Sequence, residues 1–106
     1  LSRQRQMCIR DRGNAVNKLN GAEVYAEAVY TNDNADRKEL TLYMALYDNY
    51  GKLKSVKQRK ETIAAYSTST IKTDSLSADT DSYIKLFLWE DGMKPLYNSI
   101  TIKEAK

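Results

Sequence analysis

The most constraining feature of this chain is a strict two-residue alternation between residues 39 and 48. Every second residue there is a large aliphatic one: Leu40, Leu42, Met44 and Leu46. Because successive side chains of a β-strand point to opposite faces, the alternation predicts a strand over Glu39–Asp48 with one buried face. No segment shows the 3.6-residue period of an amphipathic helix, so the pattern favours an all-β fold.

Other short segments of β character follow at intervals of about 8–12 residues, separated by turn signals. The predicted strands are Ala22–Thr31, Glu39–Asp48, Lys52–Glu61, Ser69–Leu76, Tyr83–Glu90 and Leu96–Lys103, with Thr62–Ala65 as a candidate seventh. Six or seven antiparallel strands in about 90 residues match the size of an immunoglobulin-like β-sandwich. The sequence therefore predicts an all-β antiparallel sandwich in a single domain.

The same alternation predicts which side chains meet between the two sheets. The expected core is Val24, Ala26, Ala28, Leu40, Leu42, Met44, Leu46, Ile71, Ile84, Leu86, Leu88, Ile100 and Ile102. Lys85 fixes the orientation of its strand, because an unpaired lysine is almost never buried. Phe87 and Trp89 share the face of Lys85, so we expect them to point outwards, as do Tyr25, Tyr43 and Tyr47.

The first twelve residues differ from the rest of the chain. They carry four arginines against one aspartate, whereas residues 13–106 carry equal numbers of basic and acidic side chains. Residues 6–12, Gln-Met-Cys-Ile-Arg-Asp-Arg, resemble the translation of a sequencing-library adapter. We therefore expect residues 1–12 to be an artefactual or disordered tail, 13–21 to be a linker and 22–106 to be the sandwich.

Composition excludes several classes of function. The chain has no His and one Cys, Cys8, which excludes catalytic triads that use His, zinc sites of the usual kinds and internal disulfides. It has no run of about 18 apolar residues, so no membrane span is predicted. The balanced charge of residues 13–106 argues against nucleic acid as a partner.

The acidic and hydroxyl clusters are weak candidates for chemistry. Glu90 and Asp91 beside Trp89 could supply a general acid, but a solvated turn is the favoured interpretation. Asp79, Asp81 and the loop of residues 32–36 offer oxygen ligands for calcium without matching a known loop pattern. We expect no catalytic residue, no metal site and no cofactor.

Two segments carry a family resemblance. Residues 41–53, TLYMALYDNYGKL, and residues 83–96, YIKLFLWEDGMKPL, resemble the fibronectin-III-like or immunoglobulin-like accessory domains of secreted bacterial polysaccharide-acting enzymes and surface proteins. The resemblance covers nearly all of residues 22–103. It implies an extracellular or cell-surface location and neighbouring domains of the same polypeptide as partners.

Two functions remain open at this point. The first is a non-catalytic accessory or spacer domain of a larger secreted or cell-surface bacterial protein. The alternative is a carbohydrate-binding module that grips a polysaccharide with outward aromatic side chains, for which the candidates are Trp89, Phe87, Tyr43 and Tyr47.

Overall fold

Alternating side chains assemble this chain into two antiparallel sheets in a computed structural model. The structure describes residues 5–16, 19, 21, 23–78, 81–90, 94–95 and 100–103, with backbone pairing alone for residues 5, 6, 94, 95 and 100–103. Ten strands lie in this part of the chain, and the expected all-β sandwich is confirmed. None of the described residues belongs to a helix that could cross a membrane.

The first sheet contains five strands: β1 (Arg5–Asp11), β2 (Asn14–Val16), β3 (Glu23–Thr31), β6 (Thr68–Lys72) and β7 (Leu76–Ser77). Their order is β2-β1-β3-β6, and β7 also pairs with β3. All of these pairings are antiparallel.

The second sheet contains the other five: β4 (Lys38–Asp48), β5 (Leu53–Ile63), β8 (Ser82–Glu90), β9 (Lys94–Pro95) and β10 (Ile100–Lys103). Their order is β10-β8-β4-β5, with β9 on the end of β8. β4 and β8 are therefore the central strands, and β5 is an edge rich in lysine, a residue that resists pairing with a further strand.

One apolar core lies between the sheets. All eleven described members of the predicted core are at most 4% exposed. Burial of each large member contributes about 1.5–3 kcal/mol. The structure adds core residues that are absent from the predicted set: Ile9, Leu19, Tyr30, Ile63, Leu76 and Ala78. Ile100 and Ile102 lie on β10, where side chains are outside the described residues.

The expectation of a disordered tail over residues 1–12 is wrong for Arg5–Asp11, which forms β1 inside the first sheet. Ile9 lies across from Ala26 on β3, and both are completely buried. This burial stabilises the strand because it removes apolar surface from water. The polar neighbours on the same strand remain on its other face. That the segment is artefactual stays a prediction.

The expected linker over residues 13–21 is likewise structured in part. Arg12 and Gly13 both adopt positive φ, 53° and 88°, as in a two-residue hairpin turn that joins β1 to β2. The next described residue, Leu19, is 1% exposed within the core. The sandwich therefore extends to the N-terminal side of residue 22.

Three strand limits differ from the sequence prediction. β5 continues to Ile63, so the predicted seventh strand Thr62–Ala65 does not form: Thr62 and Ile63 are the end of β5, and Ala64 and Ala65 follow it outside any strand. The predicted strand Ser69–Leu76 divides in two, because Thr73 bonds to Ala26 through both its backbone N–H and its Oγ1. Of the predicted strand Leu96–Lys103, the structure shows Ile100–Lys103 as β10, and residues 96–99 lie outside the described part.

Candidate binding surface

The outer face of the second sheet carries a cluster of aromatic side chains. Its central strands are paired so that Tyr43 faces Phe87, Tyr47 faces Tyr83 and Thr41 faces Trp89. We call the set formed by Tyr43, Tyr47, Tyr83, Phe87 and Trp89 the aromatic face. All five side chains are half-buried and alternate with core residues, as the outward assignment of Lys85 predicts.

The rings pack against one another in two groups. Trp89 meets the ring of Tyr43 edge-on at 5.2 Å between centroids and the ring of Phe87 edge-on at 6.1 Å. Tyr47 stacks on Tyr83 at 5.2 Å with 13° between the ring planes. Such aromatic pairs are worth about 0.5–1.5 kcal/mol beyond their buried area, so the rings hold one another in place.

A shallow groove of about 300 Å³ opens between the two groups of rings. Ala45 faces the groove from the middle of β4, and its small side chain leaves space between Tyr43 and Tyr47. Leu53 and Val56 of β5 complete the lining, and they are 54% and 47% exposed. Exposed aliphatic side chains beside aromatic rings mark a surface that gains from being covered.

The structure thus brings together all four of the predicted site residues, Trp89, Phe87, Tyr43 and Tyr47, around one groove. Leu53 and Val56 were missed by the sequence analysis. Val56 lies opposite Ala45 in the regular register, whereas a register shift between Leu46 and Tyr47 sets Leu53 opposite Tyr47. A bulge of this kind has no local signature in an apolar-poor strand. That the groove binds a ligand stays a prediction.

A lysine ammonium lies beside the groove. Lys85 is paired with Ala45 in the register, and its Nζ lies 5.8 Å from the centroid of the Tyr47 ring. A cation over an aromatic ring is attracted by the negative face of that ring. Among the described residues, no ion pair joins Lys85 to a carboxylate.

Of the other candidate residues, Glu90 is engaged in an ion pair, and Asp79 and Asp91 lie outside the described part. Glu90 pairs with Lys38 at 2.8 Å, and this hydrogen bond raises the pKa of Lys38. Asp79 and Asp91 are outside the described residues. In the described ranges, no three His, Cys, Asp or Glu side chains converge on a possible metal position.

Two titratable groups have perturbed environments away from the groove. Burial raises the pKa of the Cys8 thiol, so that it is less reactive than an exposed thiol. In the turn after β4, the Lys52 backbone N–H and then the Tyr50 N–H hold the pKa of Asp48 below its usual range. Neither group contacts the aromatic face through any bond that the structure records.

Comparison with known proteins supports the fold. No family model matches the chain, and no curated protein matches its sequence. The solved structures that it resembles include Bacteroides uniformis beta-glucuronidase 2 covalently bound to cyclophellitol-6-carboxylate aziridine, with a TM-score of 0.56 and 11% identity. A calcium binding mutant of the same enzyme gives a TM-score of 0.56 and 12% identity.

These matches cover most of this chain but only a small part of the enzyme. Each covers 90% of this chain but 12% of the enzyme chain. The chain is therefore similar in fold to one small β-rich portion of a much longer bacterial glycoside hydrolase. At 11–12% identity the likeness concerns the fold alone.

Proposed function

We propose that this chain is a non-catalytic accessory β-sandwich domain, of fibronectin-III-like or immunoglobulin-like type, in a larger secreted or cell-surface bacterial protein that acts on carbohydrate. The observation that carries the proposal is the match of nearly the whole chain to 12% of a bacterial beta-glucuronidase. A fold that occurs as one part of a long enzyme is suited to serve other domains of the same polypeptide.

The role in this proposal is mechanical. The molecule measures 44 × 27 × 25 Å along its principal axes, and its core fills the space between two sheets. A rigid body of this length holds its neighbours at a set distance. Its aromatic face, with Leu53 and Val56 exposed at its border, offers contact area beyond the core.

The experiment uses the 106-residue chain and a panel of chromogenic glycosides that includes a glucuronide. We expect no turnover above buffer, whereas a saturable rate that survives repurification would contradict the proposal. Sequencing the genomic region around the reading frame supplies a second test. We expect a carbohydrate-active domain in the same polypeptide, and a closed frame without one would count against the accessory role.

A second candidate, carbohydrate binding, is favoured by one specific observation: the groove lined by four aromatic rings. The C–H faces of a pyranose ring are weakly positive and pack on the negative face of an aromatic ring. Native gel electrophoresis in the presence of soluble polysaccharides tests this candidate. We expect retardation that Phe87→Ala reduces, and unchanged mobility with every polysaccharide would exclude it.

A further inference from the structure

We infer that the aromatic face binds an acidic polysaccharide, with a uronate ring in the groove over Ala45 and its carboxylate paired with Lys85. The inference rests on the carbohydrate-binding candidate above and names its ligand class. Three observations carry it: the shape of the groove, the position of one lysine and the charge of the neighbouring strand.

The size of the groove suits one or two flat sugar rings. Tyr43 and Tyr47 are four residues apart on β4, so their Cα atoms are separated by about 13 Å. Between them Ala45 adds only a methyl group to the surface, and the volume of about 300 Å³ lies at the small end of ligand pockets. One or two sugar rings fill such a space, with their C–H faces against Tyr43, Phe87 or Trp89.

The cation is already held beside this space. Lys85 faces Ala45 across the strand pair, where Cβ atoms are about 4.5–5.5 Å apart. Its ammonium is held near the ring of Tyr47, which is itself stacked on Tyr83. A side chain restrained in this way loses less entropy when it pairs with an anion.

The strand that borders the groove extends the positive charge. β5 carries four basic residues, Lys54, Lys57, Arg59 and Lys60, and one acidic residue, Glu61. Lys60 lies opposite Thr41 on the outer face, whereas Lys57 and Arg59 lie opposite the core residues Met44 and Leu42 and add to the field from the other side of the strand. Because a uronate chain repeats its carboxylates, such a strand attracts it over a longer range than one ion pair can. A neutral glucan gains nothing from these charges. An apolar protein partner would bury Lys85 without neutralising it, which is costly.

The test follows the emission of Trp89, the sole tryptophan of the chain, during titration with oligogalacturonate. The matched control ligand is the methyl-esterified form of the same oligomer, which keeps the sugar backbone and removes the charge. We expect the acid form to change the emission at lower concentration than the ester. We also expect its binding to weaken as salt rises, because salt screens charge.

Two substitutions assign the effect to Lys85. Lys85→Met keeps the length and the aliphatic stem of the side chain, and should weaken oligogalacturonate binding about fivefold while leaving binding of the ester unchanged. Lys72→Met removes the same charge from an exposed position of the first sheet and should leave both affinities unchanged. Thermal denaturation verifies that both variants are folded. An Ala45→Leu variant, which fills the groove, should weaken both ligands.

The results separate this inference from the proposals that precede it. Equal affinity for acid and ester, unchanged in Lys85→Met, would overturn the uronate assignment and leave carbohydrate binding intact. No response of Trp89 to any oligosaccharide would overturn both, while the accessory role would stand. Equal or tighter binding of single-stranded DNA would show selection for polyanions in general and would also overturn it.

Discussion

Asn32 is a completely buried polar residue that joins two loops at one end of the sandwich. Its Nδ2 donates to the carbonyl oxygens of Asp36, Ile63 and Ala64 at 2.9, 3.2 and 3.1 Å. Its Oδ1 accepts from the backbone N–H of Asn34 at 2.9 Å. A single amide thus satisfies backbone groups of the β3–β4 loop and of the end of β5.

Replacing this amide should be costly. We expect Asn32→Ala to lower the free energy of unfolding by about 2–4 kcal/mol, because it leaves buried carbonyls without donors. Urea denaturation measures the effect. Asn34→Ala is the matched control, since the Asn34 side chain is exposed and its backbone N–H remains, so a change below about 0.5 kcal/mol is expected. Equal small effects for both variants would contradict the role of Asn32.

Asp48 gives the turn between β4 and β5 a dependence on pH. Its Oδ1 accepts from the N–H of Lys52 at 2.9 Å and of Tyr50 at 2.8 Å. These bonds favour the charged carboxylate, so the pKa of Asp48 lies lower in the folded chain than in the unfolded one. The charged group therefore stabilises the fold at pH values above its ordinary pKa, and this contribution is lost as the pH falls through the lower folded value.

The expected result is a difference in stability between the protein and Asp48→Asn that depends on pH. The protein should be more stable than the variant at about pH 6, and the difference should shrink as the pH falls below about 4, the ordinary pKa of the group. Urea midpoints at several pH values measure it. A difference that stays constant over this range would show that the carboxylate charge does not contribute.

At the scale of elements, β1 is the strand with the least sequence support and a central place in its sheet. It lies between β2 and β3, and it places Ile9 in the core while Cys8 points to the other face, half-buried. Substitution of Ile9 should therefore lower the stability of the fold much more than substitution of its neighbour Cys8.

The prediction for β1 compares these two neighbours. Ile9→Ala should destabilise the chain by about 2–5 kcal/mol, because it removes buried methyl groups and leaves a cavity. Cys8→Ala should cost less than about 1 kcal/mol. Thermal or urea denaturation of the two variants measures the difference. If residues 5–11 were a tail, both substitutions would leave the stability unchanged.

The sequence predicts a strand well where apolar and polar residues alternate clearly, so that the buried and the exposed face can be told apart. In β4 the large apolar residues alternate with the others, so its buried face and its limits, to within one residue, follow from residues 39–48 alone. β1 has only Met7 and Ile9 as clear inward candidates, and its burial depends on Ala26 and Ala28, which lie across from Ile9 and Met7 in the register. Pairing of this kind is decided by distant residues, which local patterns do not contain.

The candidate site also has features that the sequence predicts and features that it does not. The orientation of Lys85 was sufficient to predict that Phe87 and Trp89 face outwards, and the alternation of β4 did the same for Tyr43. The contribution of Leu53 depends on the register shift after Leu46. Which rings stack and which meet edge-on depends on side-chain conformations, which periodicity leaves undetermined.

At the scale of the whole molecule, the two sheets play different parts. The edges of β5 and β6 are linked where the Arg59 Nε donates to the carbonyl oxygen of Lys72 at 3.2 Å. The inner faces supply the core, and the outer face of the β10-β8-β4-β5 sheet carries the aromatic groove. The core and the proposed binding groove thus lie on opposite faces of the same central strands, so outward substitutions should alter any binding without unfolding the core.

Whether the aromatic face is the binding surface of this molecule is tested most directly by an NMR titration of the ¹⁵N-labelled chain with oligogalacturonate. We predict shifts in amide resonances centred on Ala45, reaching Tyr47 and Lys85 and the Trp89 indole N–H, with the β2-β1-β3-β6 sheet unaffected. Shifts centred on that first sheet, or a spectrum without change at saturating oligomer, would contradict the assignment.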